Sequence, residues 1–161
     1  MLTRIPNYTV TDVQDGIRYL LDKASQSEEV RQLAIDITSS SQDPIASIYG
    51  FVKQKVTYTP DEERGFGDIE LFISPVRMVK DYRAGISIAG DCDDMALLTV
   101  ALCRSIGIES NVVLLDTGGK GVDHAIAEVY SEKLETWITL DPSAPEVPLG
   151  WIEHHVERIK V

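Results

Sequence analysis

The sequence predicts an α+β fold, in which helices come first and an antiparallel sheet follows. Up to residue 107, apolar residues recur at spacings of three and four, which is typical of helices with one buried face. After residue 110 the apolar residues form short runs of the kind found in strands. The chain has 161 residues, of which 43% are hydrophobic, and this is enough for one core.

Four segments before residue 90 combine a helix start signal with an apolar stripe. The first is predicted to begin at Thr11, with Gln14 completing a capping box. The others are predicted to begin at Ser27, at Asp43–Pro44 and at Ser74–Pro75. Residues 58–73 contain proline, two glycines and an acidic run, and we predict a long loop there, which is often functional.

The segment AGDCDDMALLTVALC predicts a buried central helix with Asp91 as its N-cap. Cys92 begins a stripe that ends at Cys103, and Gly107 is predicted to stop the helix. A cysteine used only for packing is expected further along a helix, as Cys103 is. Cys92, in the first turn and beside three aspartates, is therefore a candidate nucleophile, whereas Cys103 is expected to be structural.

Three strands are predicted after this helix, at residues 111–116, 124–130 and 136–141. A hairpin turn centred on Glu132–Lys133 pairs Glu128 with Trp137 and His124 with Asp141. Directly opposed residues share a face of the sheet, so the imidazole and the carboxylate are expected to be in contact. If the central helix covers this hairpin with its first turn near His124, the thiol joins them.

These three side chains suit nucleophilic catalysis. A helix N-terminus and a nearby imidazolium both favour the thiolate form of Cys92. His124 can accept and return a proton, and Asp141 can fix its orientation. Asp91, Asp93 and Asp94 oppose ionisation of the thiol if they face it. We therefore expect Asp91 to form capping bonds and the other two to face solvent or a basic partner.

The net charge of −11 disfavours nucleic-acid binding. No segment is apolar enough to span a membrane, and the N-terminal residues do not resemble a signal peptide, so we expect a cytoplasmic protein without a membrane partner. Two cysteines on one helix cannot bridge, and both are expected to be reduced. His154 and His155 lack matching ligands, and no metal or cofactor is predicted.

The phrases GDCDDMALLTVALCRSIGI, DHAIAEVY and WITLDPS, in this order, resemble the transglutaminase-like superfamily. The resemblance implies a papain-like α+β core and a triad of Cys92, His124 and Asp141. The stretch VTYTPD is similar to the tyrosine-bearing stretch of such domains, which makes Tyr58 a candidate for substrate binding or a wall of the cleft, if it is not in the core. Asp91 and Asp93 are further candidates for substrate binding.

The resemblance covers about residues 45–142. We accordingly divide one domain, residues 1–161, into an N-terminal helical extension (1–43), the core (44–142) and a C-terminal tail (143–161). Short proteins with this phrasing resemble those carried by phages and bacteria. The resemblance implies a cysteine peptidase or amidase acting on a peptide or protein. An amine-accepting transglutaminase and a catalytically silent binding or assembly module remain alternatives, and the oligomeric state stays open.

Overall fold

The computed structural model describes residues 2–5, 9–61 and 70–161, with backbone only at residues 2–5, 70 and 71. Helices and short strands are interspersed up to residue 105, and strands follow from residue 110. The elements are β1 (Leu2–Ile5), α1 (Val10–Ser25), α2 (Glu28–Thr38), α3 (Pro44–Lys55), β2 (Val56–Tyr58), β3 (Glu70–Ile73), α4 (Pro75–Arg83), β4 (Ile88–Gly90), α5 (Cys92–Ser105), β5 (Ser110–Asp116), β6 (His124–Ser131), β7 (Thr136–Leu140) and β8 (Glu157–Lys160).

The helix starts follow the capping signals, with one correction. Ser27 and Asp43 cap α2 and α3 as predicted, and Ser74–Pro75 opens α4. α1, however, is capped by Thr9, not Thr11. The Thr9 hydroxyl accepts from the Asp12 N–H, and the Asp12 carboxylate accepts from the Thr9 N–H at 2.8 Å. This capping box satisfies the backbone N–H groups of both Thr9 and Asp12, so the N-cap of α1 lies two residues earlier than predicted.

Helix α5 is the centre of the molecule. Its residues 93–103 are all buried, because α1, α2, α3 and α4 pack around it and β6 closes the remaining side. A helix buried on every side needs small and apolar residues all round, as the run MALLTVALC provides. It ends before Gly107, whose φ of +83° is the left-handed conformation predicted for a helix stop.

The main sheet has four antiparallel strands in the order β7-β6-β5-β8. The three predicted strands are present, but the hairpin register is wrong by two residues, because Glu128 pairs with Thr139 instead of Trp137. The turn occupies residues 132–135, and Glu135 adopts a left-handed φ of 51°. A shift of two keeps every side chain on its predicted face, so the face assignments survive the error.

Each face of this sheet is covered. Ala125, Ala127 and Val129 belong to the main core with α5, whereas Ile126 packs in a small second cluster with Val113, Leu115 and Ile152. The segment after residue 148 thus covers the face opposite the helix. Gly150 N–H donates to the Thr139 carbonyl at 2.9 Å, which ties this segment to the edge strand β7.

Several short strands are not predicted by the sequence. Residues 70–73 belong to the predicted loop but form β3, which pairs with β1. Residues 62–69 of the predicted loop lie outside the described part of the chain. β8 was also missed, since its four residues are mostly exposed; it is joined to the sheet by ion pairs from buried Glu128 to Arg158 and Lys160. Among the described residues, no helix has the length and hydropathy needed to cross a bilayer.

Candidate active site

Cys92 is the first residue of α5, directly after the N-cap Asp91. Its thiol is half-buried, whereas that of Cys103 is fully buried, and neither cysteine is in a disulfide. Gly90 comes just before, at the end of β4. A Cβ added there would lie 2.6 Å from the Cβ of Asp94, so only glycine lets the chain pass this close to the first helical turn.

Asp93 and Asp94 are buried, so the expectation that they could face solvent was wrong. Asp94 is fully buried; one carboxylate oxygen accepts from the Ile73 N–H at 2.6 Å and the other from the Asp91 N–H at 3.3 Å. Asp93 is also buried. The physical reason is that β3 reaches the first turn of α5 and needs an acceptor there. Asp91 forms part of a capping box, as expected.

These three carboxylates are also the group that could hold a cation. One oxygen from each lies within 4.8 Å of the others. Asp91, Asp93 and Asp94 each have an interaction partner already. The hydrogen bonds at the start of α5 are sufficient to explain why carboxylates lie there.

His124 is the first residue of β6, and Asp141 follows directly after β7. The His124 Nε2 atom and the Asp141 Oδ2 atom are 2.7 Å apart, with side chains that are 16% and 1% exposed. Continuing the observed register places Asp141 opposite Ile126, so its contact with His124 runs diagonally across the hairpin. The predicted contact exists, although the direct pairing that predicted it does not.

Asp141 is held by the turn that follows it. Its Oδ1 atom accepts from the Ser143 hydroxyl at 2.7 Å and from the backbone N–H groups of Ser143 and Ala144 at 3.2 Å each. Burial would raise the pKa of Asp141, but the hydrogen bonds from His124 and Ser143 outweigh it and hold that pKa below the usual value of 3.8. The turn that begins at Asp141 therefore also fixes the position of the Asp141 carboxylate.

The thiol of Cys92 lies near enough to the imidazole of His124 to affect its pKa. Since Nε2 is engaged by Asp141, Nδ1 is the ring nitrogen left for the sulfur. Burial opposes the charged ring, yet Asp141 and Cys92 together raise the pKa of His124 to about 10. Cys103 contrasts with this, because burial alone raises the pKa of its thiol to about 12.

Tyr58 lies at the end of β2, which runs parallel to β4 and pairs Tyr58 with Gly90. Gly90, the partner of Tyr58 in the neighbouring strand, precedes Cys92 by two residues. The side chain is 51% exposed, so Tyr58 is not a core residue. Its use in substrate binding, like that of Asp91 and Asp93, stays a prediction.

Three residues around the site are not indicated as site residues by the sequence. Ser143 follows Asp141 in DPS, and serine two residues after aspartate is a recognisable turn signal. Tyr49 and Lys53 on α3 contact the turn from outside. They are 92 and 91 residues away from their partners, and no local pattern indicates such contacts.

A separate cavity of about 1120 Å³ lies beside the β6–β7 turn. Tyr130, Leu134, Trp137 and Ile152 are among its lining residues, whereas Cys92, His124 and Asp141 are not. It is therefore distinct from the thiol site. His154 and His155 lie on the nearby C-terminal segment, where His154 is exposed.

Comparison with known proteins matches residues 31–142 to the family model of the Transglutaminase-like superfamily. A candidate cysteine protease from Cytophaga hutchinsonii is similar in structure, with a TM-score of 0.56 and 21% identity over 88% of this chain and 49% of that one. A candidate protease from Parabacteroides distasonis gives a TM-score of 0.54 and 14% identity over 77% and 25% of the two chains. No curated protein sequence matches significantly. The chain thus spans about half or less of these structural relatives, and at such identities the likeness shows the fold alone.

Proposed function

Because this chain belongs to the Transglutaminase-like superfamily, we propose that it is a thiol-dependent amide hydrolase with Cys92 as nucleophile. One observation carries the proposal: the imidazole of His124 is bonded to a buried carboxylate, and a half-buried thiol at a helix start lies near enough to affect its pKa. This arrangement supports the proposal, because nucleophilic catalysis needs a thiol, an imidazole and an orienting carboxylate close together.

In the first half of the reaction, the Cys92 sulfur attacks the carbonyl carbon of an amide. The C–N bond breaks, His124 gives its proton to the leaving amine, and a thioester remains on the sulfur. The N–H groups of Cys92 and Asp93 have no acceptor within the helix, since both belong to its first turn. They are suited to bind the oxyanion that forms during the attack.

In the second half, neutral His124 takes a proton from water, and the oxygen attacks the thioester. The C–S bond breaks, the carboxylic acid leaves, and thiolate and imidazolium are restored. Asp141 keeps the ring in one orientation throughout, because its carboxylate binds Nε2 and leaves Nδ1 for the chemistry.

The substrate we propose is a peptide or protein, supported by the amide chemistry and by the two protease-like structural neighbours. A net charge of −11 makes nucleic acid an unfavourable partner. Two free cysteines are consistent with the reducing cytoplasm as the site of action. An amine could replace water in the second half, and this would make the protein a transferase.

The experiment that tests the thiol chemistry is alkylation with iodoacetamide at pH 6, read by peptide mass spectrometry. An ordinary thiol with a pKa of about 8.5 is almost wholly protonated at this pH and reacts slowly. We expect fast labelling of Cys92, none of the buried Cys103, and a much slower reaction in His124→Ala. Slow labelling of Cys92, unchanged by that substitution, would instead support a silent binding module.

Turnover is tested separately with a peptide library, with and without an added primary amine. Hydrolysis adds the mass of water to the fragments, whereas transfer adds the mass of the amine, and Cys92→Ala is the control for both. Retained binding of a peptide without any new product in the wild type would favour the silent module.

A further inference from the structure

The turn that carries Asp141 is held from outside by two residues of helix α3. Lys53 Nζ donates to the Ala144 carbonyl at 2.9 Å. The Tyr49 hydroxyl lies 3.4 Å from the Asp141 carbonyl and 3.3 Å from the Val147 carbonyl, so it spans the turn. These backbone groups belong to the same short segment whose N–H groups bind the Asp141 carboxylate.

The two α3 residues also support each other. They are one helical turn apart, so they lie on the same side of α3. Lys53 Nζ is 5.5 Å from the centre of the Tyr49 ring and 3.4 Å from its hydroxyl. Tyr49 itself is 9% exposed, and its ring is part of the core. The Lys53 ammonium is thereby held against the buried Tyr49 ring while it donates to the Ala144 carbonyl.

We propose that Tyr49 and Lys53 are positioning residues, which fix the 141–147 turn so that the carboxylate of Asp141 stays in contact with His124. This inference rests on the proposed function, since it assigns a role in orienting the imidazole of the triad. Lys53 makes the shorter, charge-assisted bond and is expected to contribute more than Tyr49, whose two contacts are long.

A general stabilising role is the competing explanation, and the geometry separates the two. A lysine that merely holds a surface loop would have no effect on a histidine in another strand. Here the Ala144 carbonyl accepts a hydrogen bond from Lys53, and the Ala144 N–H donates one to the Asp141 carboxylate. Movement of Ala144 therefore moves a donor to Oδ1, while Oδ2 is the oxygen that holds His124.

The test compares Lys53→Gln with Lys55→Gln, which removes the same charge from an exposed position on the same helix. The first readout is the titration of the His124 ring by NMR, which needs no substrate and no reactive thiol. We expect Lys53→Gln to lower the His124 midpoint by roughly half a pKa unit or more, as for the loss of one net hydrogen bond. Lys55→Gln is expected to leave it unchanged, and Lys53→Arg, which keeps a charged donor, to restore it.

The second readout is alkylation of Cys92 at pH 6, expected to fall roughly three- to tenfold in Lys53→Gln by the same reasoning. Tyr49→Phe removes only the hydroxyl and is expected to give a smaller change, with Tyr19→Phe on the exposed face of α1 as its control. If Lys53→Gln fails to fold, Lys53→Met and Tyr49→Phe replace it.

A wild-type His124 midpoint in folded Lys53→Gln and Tyr49→Phe would overturn the positioning role, even if Cys92 proved highly reactive. An inert Cys92 in the wild-type protein, in contrast, would overturn the proposed function and leave the NMR comparison interpretable. The two failures are therefore distinguishable.

Discussion

His124 and Asp141 are 17 residues apart in the chain, yet their Nε2 and Oδ2 atoms are 2.7 Å apart. The contact spans the open end of the β6–β7 hairpin, where the paired ladder has already stopped. The Ser143 turn then holds the second carboxylate oxygen. The imidazole thus has a fixed orientation, which the proposed role as a base for the Cys92 thiol would need.

Asp141→Asn tests this relationship directly. The amide has no charge to stabilise an imidazolium, so the pKa of His124 is expected to fall from about 10 towards 6.5. Alkylation of Cys92 at pH 6 is expected to slow by about tenfold or more, because at least one pKa unit of stabilisation is lost. NMR titration and the labelling rate provide the two measurements. An unchanged titration midpoint would contradict the assignment of Asp141.

The raised pKa of His124 makes a prediction for stability in alkaline solution. The folded state holds the proton up to about pH 10, whereas an unfolded histidine loses it near 6.5. Between these values His124 binds more protons in the native state than in the unfolded state, so its contribution to the free energy of unfolding falls as pH rises. The contribution is complete below about pH 6.5 and is lost as pH approaches 10.

The measurement uses Cys92→Ala as its background, because without the thiol only the proton of His124 is compared between the folded and unfolded states. The His124 midpoint in this variant is expected to be lower than in the wild type but still above 6.5, because the bond to Asp141 remains. The decline of its unfolding free energy from pH 7 to 10 should exceed that of Cys92→Ala/His124→Asn by on the order of 1 kcal/mol or more. Urea denaturation at several pH values measures both, and equal declines would be evidence against the shift.

Gly90→Ala tests the close approach before the thiol. The new methyl group would lie 2.6 Å from the Asp94 Cβ, and the strand–helix junction must move to relieve the clash. We expect a loss of roughly 1–3 kcal/mol in unfolding free energy, together with slower alkylation of Cys92.

Gly50→Ala is the matched control for that variant. A Cβ at Gly50, within α3, meets no atom within 4 Å, and alanine favours the helix by about 0.5–1 kcal/mol. It should be neutral or stabilising and leave labelling unaffected. Equal behaviour of the two glycines in thermal melts would refute the steric argument.

Asp94→Asn tests why an acidic residue is buried in the first turn of α5. The asparagine amide keeps one acceptor oxygen, whereas the carboxylate serves the N–H groups of both Ile73 and Asp91. Leaving one buried donor without its acceptor is expected to cost about 1–3 kcal/mol of unfolding free energy. Protection of the Ile73 amide from hydrogen exchange should decrease too, and full protection would argue against the bond.

Much of this architecture was predictable because the signals are local. Ser27, Asp43 and Gly107 mark helix ends by their own backbone preferences, and the thiol at the start of α5 could be found from its position in the stripe. The hairpin faces were also correct, although the turn proved to be four residues long. Its register depends on the left-handed conformation of Glu135, which glutamate does not signal.

The remaining features depend on tertiary contacts. The burial of Asp93 and Asp94 could not be predicted, since charged residues at a helix start usually face water, and β3, which donates to Asp94, has no local pattern. The contact of Lys53 with Ala144 and the pairing of β8 with β5 join distant parts of the chain. The contact of His124 with Asp141 was predicted despite an incorrect register, because a two-residue error keeps side chains on their faces.

The position of Cys92 on a helix enclosed by four others and a sheet has a practical consequence. The sulfur belongs to the helical layer, and its imidazole partner belongs to the sheet, so their contact exists only while the two layers are docked. A covalent inhibitor that bonds to the sulfur and contacts His124 would connect both layers and should raise the melting temperature of the whole domain. Thermal shift with thiol-reactive fragments is thus a screen for compounds that bind at Cys92.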